Sequence, residues 1–127
     1  MLRGINLSGT IVGQYRDSNN LSHGLIRTAD GTITSYDAKG AGKGSFQGTL
    51  LGAINSRGVI AGTIIDSSGI EHSFLRNTKG HVTAFDPPDA VQQSGLGSFA
   101  MRVNKGGEVL GAYIDLNGTN HGFIRLP

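Results

Sequence analysis

The 127-residue sequence contains no cysteine and no tryptophan. Without cysteine there is no disulfide and no thiolate to act as nucleophile or metal ligand. Charge is also scarce. Charged residues make up 16% of the chain, with 11 Lys and Arg against 9 Asp and Glu, a formal net charge of +2. The cations are scattered singly, so the chain lacks the basic run or helix that tracks a phosphate backbone, and no nucleic-acid partner is expected. No apolar run approaches the roughly 20 residues of a bilayer-spanning helix, so no membrane partner is expected. The opening MLRGINLSGTIVG holds no apolar stretch of signal-peptide length, so no export signal is read from it. No window sustains a 3.6-residue apolar period, so essentially no helix is expected.

What the sequence has is glycine, 21 residues of it, and repetition. Ile5-Asn6, Ile54-Asn55 and Val103-Asn104 stand 49 residues apart. The same spacing relates Gly13, Gly62 and Gly111; Asp17, Asp66 and Asp115; His23, His72 and His121; and Arg27, Arg76 and Arg125. Tyr36/Phe85, Asp37/Asp86 and Gly48/Gly97 keep step, with no insertion or deletion. Residues 1–127 therefore read as one domain of three tandem repeats, 1–49, 50–98 and an incomplete 99–127.

Each full repeat predicts four short strands. GTLLGAIN (48–55) is the first, VIAGTIID (59–66) the second, EHSFLRN (71–77) the third and HVTAFD (81–86) the fourth. β-Branched and aromatic residues fill these runs, and Gly, Asn, Asp and Ser separate them. DSNN, DSSG and DLNG between the second and third strands are hairpin chemistry, because Asn and Gly tolerate positive φ. Along the second strand Ile11, Gly13 and Tyr15 share one face, with Tyr15 and Tyr113 expected toward a core. The opposite face reads Leu110, Ala112 and Ile114 in the third repeat, so both faces are apolar there and the sheet needs neighbours on both sides. The expected fold is all-β, of four-stranded units stacked like propeller blades. A three-fold closed β-trefoil or β-prism is the alternative. In the first repeat, Gln14 and Arg16 read as a solvent-exposed capping face.

The pattern I-N-x-x-G-x-I-x-G-x-Y-x-D…H-G-F resembles the HAF-type bacterial extracellular repeats. It runs through INLSGTIVGQYRDSNNLSHGLIR, INSRGVIAGTIIDSSGIEHSFLR and VNKGGEVLGAYIDLNGTNHGFIR, with Ser73 and Ile64 as departures. The resemblance implies β-propeller-like tandem repeats in an exported protein, extracellular or periplasmic, and implies no activity.

Asp17, His23 and Arg27, with Asp66, His72 and Arg76 and with Asp115, His121 and Arg125, form the recurring set to test for chemistry. A carboxylate beside an imidazole can orient a general base. No nucleophile recurs with it, and a catalytic centre has no reason to be copied in every unit. The set reads first as structural, with Asp closing the turn and accepting from the His ring and Arg tying strands or neighbouring units together. Its second reading is a set of ligand contacts. Convergence of the three His on one zinc is excluded by spacing, since stacked sheets lie about 10 Å apart and zinc takes nitrogens at about 2.0–2.1 Å. The turn oxygens fall short of the six to eight that calcium takes. GAGKGS (40–45) lacks the first glycine of a phosphate loop, with Asp37 in its place, and reads as a flexible linker. No catalytic residue, metal site or cofactor is expected. The chain reads as a non-catalytic binding or scaffold module. The alternatives are a lectin-like domain with one weak site per repeat, then an enzyme with a site between repeats. The expected partners are a carbohydrate or protein ligand and a second copy closing a ring as a homodimer. The charge split, +3 over residues 1–63 and −1 over 64–127, favours head-to-tail contact.

Overall fold

The computed structural model describes residues 1–127 and contains no helix. Eleven strands follow in order: β1 (Leu2–Ile5), β2 (Ile11–Arg16), β3 (Ser22–Arg27), β4 (Ile33–Tyr36), β5 (Gly48–Ile54), β6 (Ile60–Ile65), β7 (Glu71–Arg76), β8 (Val82–Phe85), β9 (Ser98–Val103), β10 (Val109–Ile114) and β11 (Asn120–Arg125). Sequential strands pair antiparallel through β1–β4, β5–β8 and β9–β11. Gly13 pairs with Leu25, Gly62 with Phe74 and Gly111 with Phe123. A bulge interrupts each first pairing, at Leu2/Gly4, Leu51/Ala53 and Leu110/Gly111.

The first eight strands count as one sheet only through a single parallel pair, Ser22 with Gly48. β7 and β9 meet at one isolated parallel bridge, Glu71 with Gly97. Both junctions need glycine. Gly48 and Gly97 have φ of +115° and +139°, and a Cβ on either would overlap the carbonyl oxygen of Ser22 or Glu71. Neither sheet closes into a barrel, so the β-trefoil alternative, which needs one, does not describe the chain.

The core lies between sheet faces. Val12, Ala38, Leu51, Ile60, Ile64 and Phe74 form one buried cluster, and Ala53, Ala61, Ala100 and Val109 form another. Adjacent positions of β6 contribute to different clusters, Ile60 to the first and Ala61 to the second, so this strand is covered on both faces and buried throughout.

Two expectations are corrected here, and a third holds in part. Of the expected capping face of β2, Arg16 is exposed and Gln14 half-buried. Val12, on the same face of β2, is fully buried against β5, and Arg16 stacks on the Phe46 ring at 5.0 Å. Tyr15 lies on the other face, 41% exposed, with its hydroxyl 3.0 Å from that of Ser35. Residues 40–45 are not a loose linker, because Gly42 is buried and its N–H donates to the Ile65 carbonyl at 2.9 Å. A Cβ at Gly42 would lie 2.5 Å from the Asp66 carbonyl oxygen, so the packing there is tight.

Candidate functional site

The turn after β2 sets the first half of the site. Asp17 Oδ1 accepts from the N–H of Asn19 at 2.8 Å and of Leu21 at 3.0 Å. Asp66 does the same for Ser68 and Ile70 (2.8 and 2.9 Å), and Asp115 for Asn117 and Thr119 (2.8 and 2.9 Å). The chain reverses through positive φ at Asn20, Gly69 and Gly118, residue types that adopt it cheaply. With Oδ1 closing the turn, Oδ2 faces the histidine near the start of the next strand. It lies 3.5 Å from His23 Nε2, 3.2 Å from His72 Nε2 and 2.8 Å from His121 Nε2.

A second carboxylate completes the first two sites. Asp37, just beyond β4, reaches His23 Nδ1 at 2.8 Å, and Asp86, just beyond β8, reaches His72 Nδ1 at 2.7 Å. Asp86 also accepts from the buried Ser98 hydroxyl at 2.6 Å, and Ser98 lies 2.8 Å from the Ser73 hydroxyl. The imidazole is a bridge between two acids. His121 contacts one carboxylate only, Asp115, and stacks on Tyr113 with ring centroids 5.0 Å apart. His23 stacks on Tyr15 in the same way.

The electrostatics follow the contacts. The Asp37 carboxylate, aided by Asp17, raises the pKa of His23 above its ordinary value of 6.5. At His72 burial opposes the charge, but hydrogen bonds to Asp86 and then Asp66 prevail, and its pKa is also raised. Asp17 is lowered chiefly by the Leu21 N–H, and Asp115 chiefly by His121. At Asp66 burial pulls upward, and the Ile70 N–H with His72 overcomes it, leaving the carboxyl lowered. With one ring nitrogen on each carboxylate, the imidazoles of His23 and His72 leave neither nitrogen turned toward open space. The Ser98 hydroxyl, which donates to Asp86, is fully buried and faces no open space. In its first two copies the arrangement fixes strand ends together.

The arginines belong elsewhere. His72 and Arg76 stand toward opposite ends of β7, and the Arg76 guanidinium lies over the Tyr36 ring at 4.8 Å. Arg125 lies over Phe85 at 4.7 Å. Arg27 occupies the corresponding end of β3 and contacts no ring in this way. Sequence reasoning joined Asp to His and read Arg as tying strands or neighbouring units together, and Arg76 on Tyr36 and Arg125 on Phe85 each reach a ring of the preceding repeat. It noted Asp37 and Asp86 as recurring but did not assign them to the histidine. It also missed a ladder of asparagines. The Asn6 side chain donates to the Asn55 carbonyl at 3.1 Å, and Asn55 donates to the Asn104 carbonyl at 2.9 Å. The recurrence of Asn at 6, 55 and 104 was the signal available.

Two concavities accompany these features. A groove of about 260 Å³ is lined by Asn6, Ser8, Thr10, Arg57, Arg76 and Thr78, among others, and by no carboxylate. A cavity of about 700 Å³ lies beside Asp115 and His121, walled by Tyr113 and by residues 88–93. In comparison with known proteins, no family model, no curated protein and no solved structure matches this chain.

Proposed function

We propose that this all-β chain is a non-catalytic binding or scaffold module, built of 49-residue four-stranded units that stack like propeller blades. The observation that carries the reading is the double carboxylate bridge at His23 and His72, which engages two of the three copies of the recurring Asp–His set in holding strands together. Covering of β6 on both faces favours stacked sheets over a β-prism. Membership of the HAF-type repeats, and export with it, rests on the sequence resemblance. A glycan array run beside a panel of hydrolase substrates tests the reading. Turnover of any substrate that is lost in His121→Ala would sink it.

The carbohydrate-binding alternative is supported by the 260 Å³ groove, lined by hydroxyls, the Asn6 amide and two arginines. Binding of an acidic glycan, weakened in Arg57→Ala, is the outcome that favours it.

Self-association is part of the same proposal. Leu2 and Ile5 at one end of the chain, and Leu110 and Ile124 at the other, are 63%, 66%, 49% and 68% exposed. These residues leave apolar ends that a head-to-tail neighbour would cover. The asparagine ladder has the matching polarity, ending in an Asn104 side chain turned onto Glu108 and beginning at Asn6. Leu2→Lys and Ile124→Lys should each sediment as the 13.2 kDa monomer, and their mixture as a pair. If Leu2→Lys alone still pairs, the contact is not head-to-tail.

A further inference from the structure

The asparagine ladder ties together two turns, one from each of the first two repeats. Asn6 Oδ1 accepts from the N–H of Thr10, Asn55 Oδ1 accepts from those of Arg57 and Val59, and the Asn6 side chain donates to the Asn55 carbonyl. Residues of both turns, with Arg76 and Thr78, line the 260 Å³ groove. Its charge is of one sign, because Arg57 and Arg76 line it and no Asp or Glu does. The ion pairs of the protein all join a histidine to an aspartate, so no carboxylate neutralises either arginine. Arg76 lies over the Tyr36 ring, and its Nε is buried without an acceptor, the one side-chain nitrogen or oxygen in the protein left so. A buried donor of a charged group is costly to leave unpaired, and a ring face beneath a guanidinium takes up none of its in-plane N–H groups. The fold does not require this set of side chains. At the next junction Asn104 still closes its turn, but Val59 stands at the position of Thr10, Gly106 at that of Arg57 and Lys105 at that of Ser56. Architecture accounts for the asparagines and for Arg76, whose counterpart Arg125 lies over Phe85, and leaves Arg57 and the hydroxyls unexplained.

We infer that this groove binds a tetrahedral oxoanion, a sulfate or phosphate group that is either free or carried by a sugar. Arg76 and Arg57 supply charge-assisted donors to its oxygens, and Arg76 Nε gains the acceptor it lacks. The hydroxyls of Thr10, Ser56 and Thr78 are further donors on the same wall. Selectivity comes from the count of oxygens. A sulfate or phosphate ester offers three terminal oxygens and can meet two arginines and a hydroxyl at once, whereas a carboxylate has two. Much of the site is ordered beforehand, with the Arg57 backbone pinned by Asn55 and the Arg76 guanidinium set over Tyr36, which lowers the cost of binding. The inference rests on the carbohydrate alternative above for its groove, and deepens it by naming the group the groove selects.

The probes are inorganic sulfate, inorganic phosphate, galactose 6-sulfate, galacturonate and galactose, titrated into the intact protein by calorimetry with ionic strength held constant by chloride. Saturable binding of the sulfate and phosphate probes is expected, with galacturonate about tenfold weaker or more and galactose silent. Arg57→Ala, a change at an exposed residue, should weaken oxoanion binding about tenfold or more, the loss of a charge-assisted hydrogen bond. Arg76→Lys keeps the charge but not the planar fork, and should weaken it by a similar factor. Arg3→Ala removes a cation outside the groove and should leave binding unchanged. Melting of each variant beside the parent reports that the fold is intact, and Arg57→Ala decides the matter if Arg76→Lys is destabilised. No saturable oxoanion binding, unchanged binding in Arg57→Ala, or an equal loss in Arg3→Ala overturns the inference. Galactose 6-sulfate bound about tenfold tighter than inorganic sulfate assigns the anion to a sugar. Equal affinities assign the free ion, which upholds the inference and sinks the carbohydrate alternative. Galacturonate bound as tightly as galactose 6-sulfate does the reverse.

Discussion

Replacing His72 with alanine tests whether the recurring histidine is an architectural bridge. The substitution removes two hydrogen bonds, 2.7 Å to Asp86 and 3.2 Å to Asp66. It also leaves two carboxylates facing one another without the cation between them. Hydrogen bonds to charged groups contribute roughly 1.5–3 kcal/mol each when well shielded. Here the three side chains are 23–27% exposed, so solvent recovers part of that. Asp66 keeps its two turn N–H donors and Asp86 keeps the Ser98 hydroxyl, so neither acid is left unsolvated. The net loss is about 2–3 kcal/mol. For a chain of this size 1 kcal/mol moves Tm by about 4 °C, so Tm should fall by about 8–12 °C. Calorimetry at pH 6 measures it, with His72→Gln expected in between, since an amide can donate to only one of the acids. A His72→Ala protein melting within about 2 °C of the parent would refute the bridge, above all if ligand binding vanished with it.

Stability should depend on pH in a defined sense. The raised pKa values of His23 and His72 make their contribution fully present below about pH 6.5 and lost as pH rises through the folded values. The lowered values of Asp17, Asp66 and Asp115 make theirs present above about pH 4 and lost as pH falls through the folded values. Tm is therefore expected to be highest between those limits, and a Tm that climbs from pH 7 to 9 contradicts the assignment. Gly97→Ala, with φ of +139° and no room for a Cβ, should destabilise by about 3 kcal/mol or more in urea titration. Gly40→Ala, with φ of +93° and open space around it, should cost only about 1–2 kcal/mol. Asn55→Asp keeps the oxygen that accepts from the N–H groups of Arg57 and Val59 but sets a carboxylate against the Asn104 carbonyl. It should cost about 2 kcal/mol, and parent-like melting would show that the ladder is incidental.

The strands were legible in the sequence because their signals are local. Period-2 runs bounded by Asp, Asn and Gly placed β2, β3, β6, β7, β10 and β11 within a residue or two. Asp17 and His23 are six residues apart across one tight turn, so their meeting follows from the hairpin alone. Asp37 is 14 residues from His23, and the contact exists only once β4 is registered on β3. Tyr36 and Arg76 meet only through the packing of one sheet against the next, which no local rule encodes. The face of Gln14 and Arg16 was legible in part for the same reason. Alternation tells which residues share a face, and composition marked its polar end as wet, where Arg16 is exposed and Gln14 half-buried. Val12 at the head of that face is buried, and the long side chain of Arg16 lies along Phe46 with its Nε 3.4 Å from the Ser22 hydroxyl.

The contacts of β1–β4 with β5–β8 and of β5–β8 with β9–β11 bury different side chains, although polar links cross both, the Asn6–Asn55 rung and the Ala38 N–H donating to the Thr49 hydroxyl across the first. The first buries Leu51, Ile60 and Phe74, side chains that each gain roughly 1.5–3 kcal/mol on leaving water. The second buries Ala53, Ala61, Ala100 and Val109, which together remove far less apolar surface. Small residues let backbones come close, as the Ala100 carbonyl does, 2.9 Å from where a Cβ on Gly52 would sit. Close approach favours hydrogen bonds over large side chains. The Ser73–Ser98 pair, the Ser98–Asp86 bond and the Asn55–Asn104 rung all cross this thinner contact, and Phe85 adds an edge-on ring contact with Phe123 at 6.0 Å. Hydrogen bonds contribute modestly in net terms but fix geometry sharply. Both contacts therefore combine burial with hydrogen bonds, the first burying the larger side chains and the second adding the Ser73–Ser98–Asp86 set.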